Sequence, residues 1–155
     1  MEILLQKRPG GRPVTTKTNP HQQLTQTIAP EYHSRILDFA RSLAHAVSVQ
    51  SLVSVPGAVG FILEPEFAHG PPESFMSGTE FAHLHPLYDG SMHMMLPDHA
   101  AESVIAHEWG EAHPMALNGY IPHNAVMIYA PRNETEFQTI ISLLNMSYAF
   151  AAGEL

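Results

Sequence analysis

The stretch EFAHLHPLYDGSMH, residues 80–93, puts three histidines, His83, His85 and His93, next to two carboxylates, Glu80 and Asp89. Imidazole changes protonation near neutrality and also binds divalent transition ions, so this set can do acid–base chemistry or hold a metal. Whether it is one site depends on the backbone that carries it. Residues 80–85 and 91–96 read as strands joined by the loop PLYDG, whose Asp-Gly end suits a hairpin. Centred on Tyr88, the hairpin sets His83 opposite His93, His85 opposite Ser91 and Phe81 opposite Met95, all on one face. The other face, Ala82, Leu84, Met92 and Met94, is wholly apolar and is expected on the core.

The candidate catalytic residues are therefore His83, His85 and His93, with His113 supplied from the loop after the second helix. The candidate metal ligands are His83, His85, His93, Glu80 and Asp89, a donor set suited to a divalent Zn, Fe, Ni or Mn ion with positions left open for substrate. The same residues can work without metal, as acids, bases or hydrogen-bond donors. The run H-x-H-x-x-x-D from His83 to Asp89 resembles the first metal motif of cupins, and no second cupin motif is found. His99 and His107 fall outside the apolar stripe of their helix, and His21, His33, His45 and His69 rank lower still. Ser91 beside His85 and Asp89 matches a nucleophilic triad in composition only, since no nucleophile-elbow pattern surrounds it.

The surrounding elements follow from periodicity. From Pro30, apolar residues at Tyr32, Ile36, Phe39, Ala40, Leu43 and Val47 predict an amphipathic helix, and Val59 to Leu63 predicts a strand. A second helix is expected from Pro97-Asp98, capped by Asp98 and ended by Gly110; Ala125 to Pro131 reads as a central strand. Asn133 caps a last helix with Phe137, Ile140, Ile141, Leu144 and Tyr148 inward. The order α-β-β-β-α-β-α predicts a single α+β domain, residues 29–155, with a mainly antiparallel sheet packed by helices. Residues 1–28, rich in Pro, Gly, Thr and Gln, read as an extended basic arm. Eight methionines fill the core or line an adaptable apolar pocket.

Composition narrows the function. At 155 residues, 45% hydrophobic and 14% charged, the chain suits one folded domain and holds no apolar run of bilayer length. The N-terminus shows no signal-peptide pattern, so a cytoplasmic location is expected. Absent cysteine leaves nitrogen and oxygen chemistry only. Net charge is −8, yet six of the seven Lys and Arg residues precede position 42, and beyond it Arg132 stands against twelve acids. That segregation disfavours nucleic acid, whose phosphates need clustered cations.

The residues GTEFAHLH, then a helix, then His113-Pro114, a short strand and a final helix through Ser147-Tyr148-Ala149-Phe150 carry a family resemblance. Over roughly residues 56–150 the chain resembles the small family labelled luciferase domain, or luciferase-family protein, most specifically at Glu80-Phe81, His83, His85, His113 and Tyr148. The resemblance implies a compact α+β domain with a small-molecule site around the H-x-H strand. The chain departs from it in DGSMHMML, which adds His93, and in the basic arm.

The expected function is an enzyme of lyase, isomerase or cyclase type on a small, largely apolar organic molecule. A dinucleotide cofactor is not expected, for no Gly-rich fingerprint is present. The alternatives are a non-catalytic binder of a small molecule or metal, and an assembly protein whose histidine face joins the copies of a homo-oligomer. The arm's four cations and the acidic body attract, with Ile3, Leu4 and Leu5 as apolar anchors across the histidine face. Deleting residues 1–20 is expected to weaken small-molecule binding, and added salt to weaken binding by the intact chain. Calorimetry showing neither effect would reduce those residues to a tail.

Overall fold

Pro30, whose ring presets a helical φ and whose missing N–H costs nothing in a first turn, starts α1 (Pro30–Ser42) in the computed structural model, which describes residues 2–155. α1 is shorter than the apolar spacing predicts. His45 adopts a left-handed φ of 64° just beyond it, and Val47 falls in a strand, β1 (Ala46–Gln50). β2 (Val59–Leu63), β3 (Glu80–Leu84) and β4 (Met92–Met95) follow, then α2 (Asp98–Ala106). The chain continues through β5 (Gly110–Ala112), the one-turn α3 (Pro114–Leu117), β6 (Ala125–Ile128) and α4 (Glu134–Ala152).

The six strands form one sheet in the order β1-β2-β3-β4-β6-β5, every pair antiparallel. The α+β class and the antiparallel sheet are those predicted. The order α-β-β-β-α-β-α gains β1, β5 and α3. β5 is only three residues long, too short for alternation to show, and α2 stops at Ala106 rather than at Gly110. Glu108, with φ 63°, makes the turn that lets Gly110 begin a strand. Asp98 is the first residue of α2, with Pro97 in the cap position, so the predicted Asp98 cap is absent. Asn133 caps α4 as predicted, its side chain accepting from the Glu136 amide at 2.9 Å.

Helices α1, α2 and α4 cover one face of the sheet. Leu84, Met92, Met94, Val126 and Ile128 are buried against them, as the hairpin pattern requires. Each such side chain contributes about 1.5–3 kcal/mol on leaving water, which fixes β3 and β4 in register. Phe81 departs from the expected face. The β2–β3 register slips between Phe61, opposite Ala82, and Ile62, opposite Glu80. The resulting bulge leaves Phe81 in the helix-side core, its ring 6.0 Å from that of Tyr148, and brings Glu80 to the histidine side.

Residues 2–28 run over the body in extended form. Arg8 is buried, its guanidinium 5.3 Å over the Tyr129 ring and bonded to Gln26 Oε1 at 2.6 Å. Arg12 donates to Ile105 O in the last turn of α2 at 2.6 Å and to Gly110 O at the start of β5 at 2.7 Å. Ile3 and Leu5 pack on the core, whereas Leu4 is 91% exposed and is no anchor, because alternation turns it to solvent.

Gly60 stands opposite His83 in the β2–β3 pair, and a Cβ there would lie 2.5 Å from Glu80 Oε1 and 3.2 Å from Ser51 Cα. Gly60→Ala is expected to push Glu80 away from His83 and to lower stability by about 1–3 kcal/mol, read from the urea midpoint. An unchanged midpoint would mean that the carboxylate is free to move aside.

Candidate functional site

β3 and β4 bring the hairpin histidines to the sheet face opposite the helices. His83 pairs with His93 in register, as predicted, with ring centroids 5.1 Å apart; His85 lies 5.0 Å from His93. All three are buried: 4% exposed at His83 and His93, 1% at His85. They form one cluster, with a nitrogen from each within 4.8 Å of the others.

Carboxylates orient the rings. His83 donates its Nδ1–H to Glu80 Oε2 at 2.9 Å, and Ser51 donates to the same oxygen at 2.9 Å. His85 donates its Nδ1–H to Asp89 Oδ2 at 2.7 Å. Asp89, the turn carboxylate of the hairpin, also accepts from the Ser91 hydroxyl at 2.5 Å and from the Gln23 amide at 3.1 Å. This arrangement rules out the Ser91 triad: the nitrogen of His85 that faces Ser91 is already a donor to Asp89. Glu80 and Asp89 thus touch histidines, each holding one in place.

Two further imidazoles complete the cluster. His113, expected from the loop after α2, stands 5.0 Å from His93, and its Nδ1 accepts from the Met115 amide at 3.0 Å as the cap of α3. His21, ranked low from sequence, is 2% exposed; its Nδ1 meets His93 Nε2 at 2.9 Å and its Nε2–H donates to Glu111 Oε2 at 2.9 Å. Glu111 also accepts from Tyr129 OH and from Thr15 Oγ1, each at 2.8 Å, and Arg12 donates to the tyrosine at 3.0 Å. No local pattern marks His21. Glu111 is two residues before His113, so strand spacing there was the available signal. His33 braces the hairpin from outside the cluster, with Nε2–H to His85 O at 3.0 Å. His99 is exposed, while His107 and His45 bond to Ser103 O at 2.8 Å and Glu64 Oε2 at 3.2 Å.

Residues of the cluster line two cavities. One, about 420 Å³, is lined by His21, His83, His85, His93 and His113 together with Asn19, Pro20 and residues 52–56. The other, about 280 Å³, is more apolar: Met76, Met95, Met115, Ile121, Pro122 and Ala125 line it, and it shares His83, His93 and His113 with the first. Met92 and Met94 are core and Met95 is pocket, so the methionines divide between the two expected roles.

An antiparallel sheet with helices on one face and a buried histidine centre on the other is the class that fold and site define. Residues 78–147 match the family model described as Luciferase domain, within the region where the sequence resembles that family. Among curated proteins, the luciferases of Armillaria ostoyae and Armillaria mellea are each 28% identical over 170 aligned positions, covering 97% of this chain and 62% of theirs. The luciferase of Neonothopanus nambi is 25% identical over 167 positions, covering 95% of this chain and 61% of its own. The chain thus spans less than two thirds of the length of these relatives. No solved structure matches it. Among the described residues no helix is long and apolar enough to cross a membrane.

Burial also sets the charge of the cluster. It holds His93 well below the usual imidazole range, with His83, His85, His21 and His113 acting in the same direction. Burial likewise lowers His83, against the pull of Glu80, and brings His113 to about 4. For Glu111 burial pushes upward, but bonds from His21, Tyr129 and Thr15 outweigh it and hold the carboxyl at about 2. The three histidines stay neutral in the folded chain at a pH where the unfolded chain, with imidazoles near about 6.5, takes up protons. Stability is therefore expected to fall as pH drops below about 6.5 and to go on falling toward the His113 value of about 4. The urea midpoint should be lower at about pH 5 than at about pH 7.5, and His113→Gln, neutral throughout, should flatten the slope. Equal midpoints would show that these rings charge without cost.

Proposed function

We propose that this chain is an enzyme acting on a small, largely apolar organic molecule, seated in the methionine-lined cavity and converted at the histidine centre. The observation that carries this reading is that His83, His93 and His113 line both cavities, so a ligand in the apolar one touches the imidazoles directly. His113 is suited to proton donation or hydrogen bonding toward an oxygen of that ligand. Its Nδ1 already accepts from Met115, so the neutral ring carries its hydrogen on Nε2. Buried neutral imidazoles next to carboxylates serve proton transfers of the kind that lyases, isomerases and cyclases need.

The name luciferase, carried by the similar proteins, denotes an enzyme and supports catalysis over carriage; it does not bring light emission to a chain that spans 62% of their length. The reading of the histidine face as an interface between copies is disfavoured, because His83, His85 and His93 have almost no exposed surface to offer. Residues 2–28 belong to the same unit in this reading, as a cover strip: Asn19, Pro20 and His21 line the larger cavity.

The test is a thermal-shift screen of small apolar oxygen-bearing organic compounds, with conversion of each binder followed by mass spectrometry. Ala125→Phe, which fills the apolar cavity, is expected to abolish the shift while circular dichroism is unchanged. His113→Ala should leave binding nearly intact and slow turnover by about 10²–10⁴-fold. Binding without conversion of any compound would identify a non-catalytic carrier instead.

A further inference from the structure

Three of the four innermost imidazoles are locked with a lone pair facing inward. A carboxylate only accepts, so His83 gives Nδ1–H to Glu80, His85 gives Nδ1–H to Asp89 and His21 gives Nε2–H to Glu111. Lone pairs remain on His83 Nε2, His85 Nε2 and His21 Nδ1. His93 stands between two of them, its Nδ1 3.2 Å from His83 Nε2 and its Nε2 2.9 Å from His21 Nδ1. Neutral His93 has one N–H for these two contacts, so one of them sets lone pair against lone pair.

We propose that a divalent first-row transition-metal ion, bound by His83 Nε2, His85 Nε2 and His93 Nδ1, resolves this conflict. With Nδ1 on the ion, His93 gives its Nε2–H to His21 Nδ1, and every ring N–H of the four histidines has an acceptor. The 3.2 Å between His83 Nε2 and His93 Nδ1 fits neighbouring nitrogens on one ion, about 3.0–3.4 Å apart when each bond is about 2.0–2.1 Å. One ring nitrogen from each of the three histidines lies within 4.8 Å of one from each of the others. Each ring has the outer partner that fixes a metal-binding imidazole: Glu80, Asp89, and His21 backed by Glu111.

Charge points the same way. Among the described residues the only ion-pair partners of Glu80, Asp89 and Glu111 are histidines, so three anions surround the centre with no lysine or arginine paired to them. A second triad, His21, His93 and His113, also has its nitrogens within 4.8 Å. It lacks a third lone pair, because His113 Nδ1 accepts from Met115 and Nε2 holds the hydrogen. An all-imidazole set prefers Zn, Co, Ni, Cu or Fe(II) to Mg or Ca.

This proposal deepens the reading of the pocket as a catalytic site, but its test needs no substrate. The full chain, stripped with chelator and dialysed, is titrated with Co²⁺ by calorimetry and visible absorption. One ion per chain is expected. His85→Ala and His93→Ala should each weaken it by more than about 100-fold, and Asp89→Asn, which keeps the shape, by about 10–100-fold. His113→Ala should stay within about threefold, since its lone pair is spent on Met115. If an alanine variant does not fold by circular dichroism, X-ray absorption of the Co²⁺-loaded wild-type chain decides, with three imidazole nitrogens per ion expected. No stoichiometric binding by the wild-type chain would overturn the proposal, as would a site lost with His113→Ala and kept with His85→Ala. Turnover by a chain that binds no metal would overturn it while sparing the enzyme reading; metal bound with no compound converted would do the reverse.

Discussion

The imidazole nitrogens buried in this sheet face need partners, and that requirement organises the molecule around them. An unpartnered buried polar group costs about 1–3 kcal/mol, and several such groups would rival the whole net stability of a domain. Three of the four inner rings therefore have a dedicated carboxylate acceptor, each from a different part of the chain. Glu80 comes from a bulge in the same strand, Asp89 from the hairpin turn and Glu111 from β5, which reaches His93 through His21 of the N-terminal segment. Short β5 and the long extended segment, neither of which adds much to the core, make sense as supports for this network.

The hairpin was legible because one physical rule covers it. Alternation with one apolar face admits a single register, and the pairing of His83 with His93 and the burial of Leu84, Met92 and Met94 follow from that rule alone. Legibility ended where spacing stopped being regular. Phe81 lies at a bulge, so alternation counted from His83 assigns it to the wrong side of the strand. Val47 continues the helical spacing of α1, but the backbone reverses at His45 before reaching it. His21 sits 72 positions from the ring it touches, in a stretch with no period, where only the folded chain can make the connection.

Attraction to the acidic body, helped by apolar anchors, is the hold expected of the basic segment, and in the structure charge has a small part. Lys7 pairs with Glu108 at 3.2 Å with its side chain 72% exposed, a contact of the kind worth about 0–1 kcal/mol. The stronger holds are directional: Arg8 bonded to Gln26 and over Tyr129, Arg12 on the Ile105 carbonyl of α2 and the Gly110 carbonyl of β5, Gln23 between the Asp89 carboxylate and the Ala130 amide. These bonds tie the segment to the residues that orient His85 and Glu111. A change in the segment is thus transmitted to the rings through geometry more than through field.

Local rules of good folding are broken here in one place above all. A sheet interior ordinarily favours apolar side chains, and replacing buried charges with apolar groups of the same shape is often neutral or stabilising. The helix side of β3 and β4 follows that rule fully, with Phe81, Ala82, Leu84, Met92 and Met94 packed to near-zero exposure. The opposite side sets five histidines and three carboxylates about a cavity that packing leaves open. The dry face supplies the stability that the polar face spends, with α4 packed against Phe81 at the bulge where Glu80 meets His83. The departure is concentrated: four of its five histidines, His83, His85, His93 and His113, lie within residues 78–147, the stretch that matches the luciferase-domain model, and His21 reaches them from outside it.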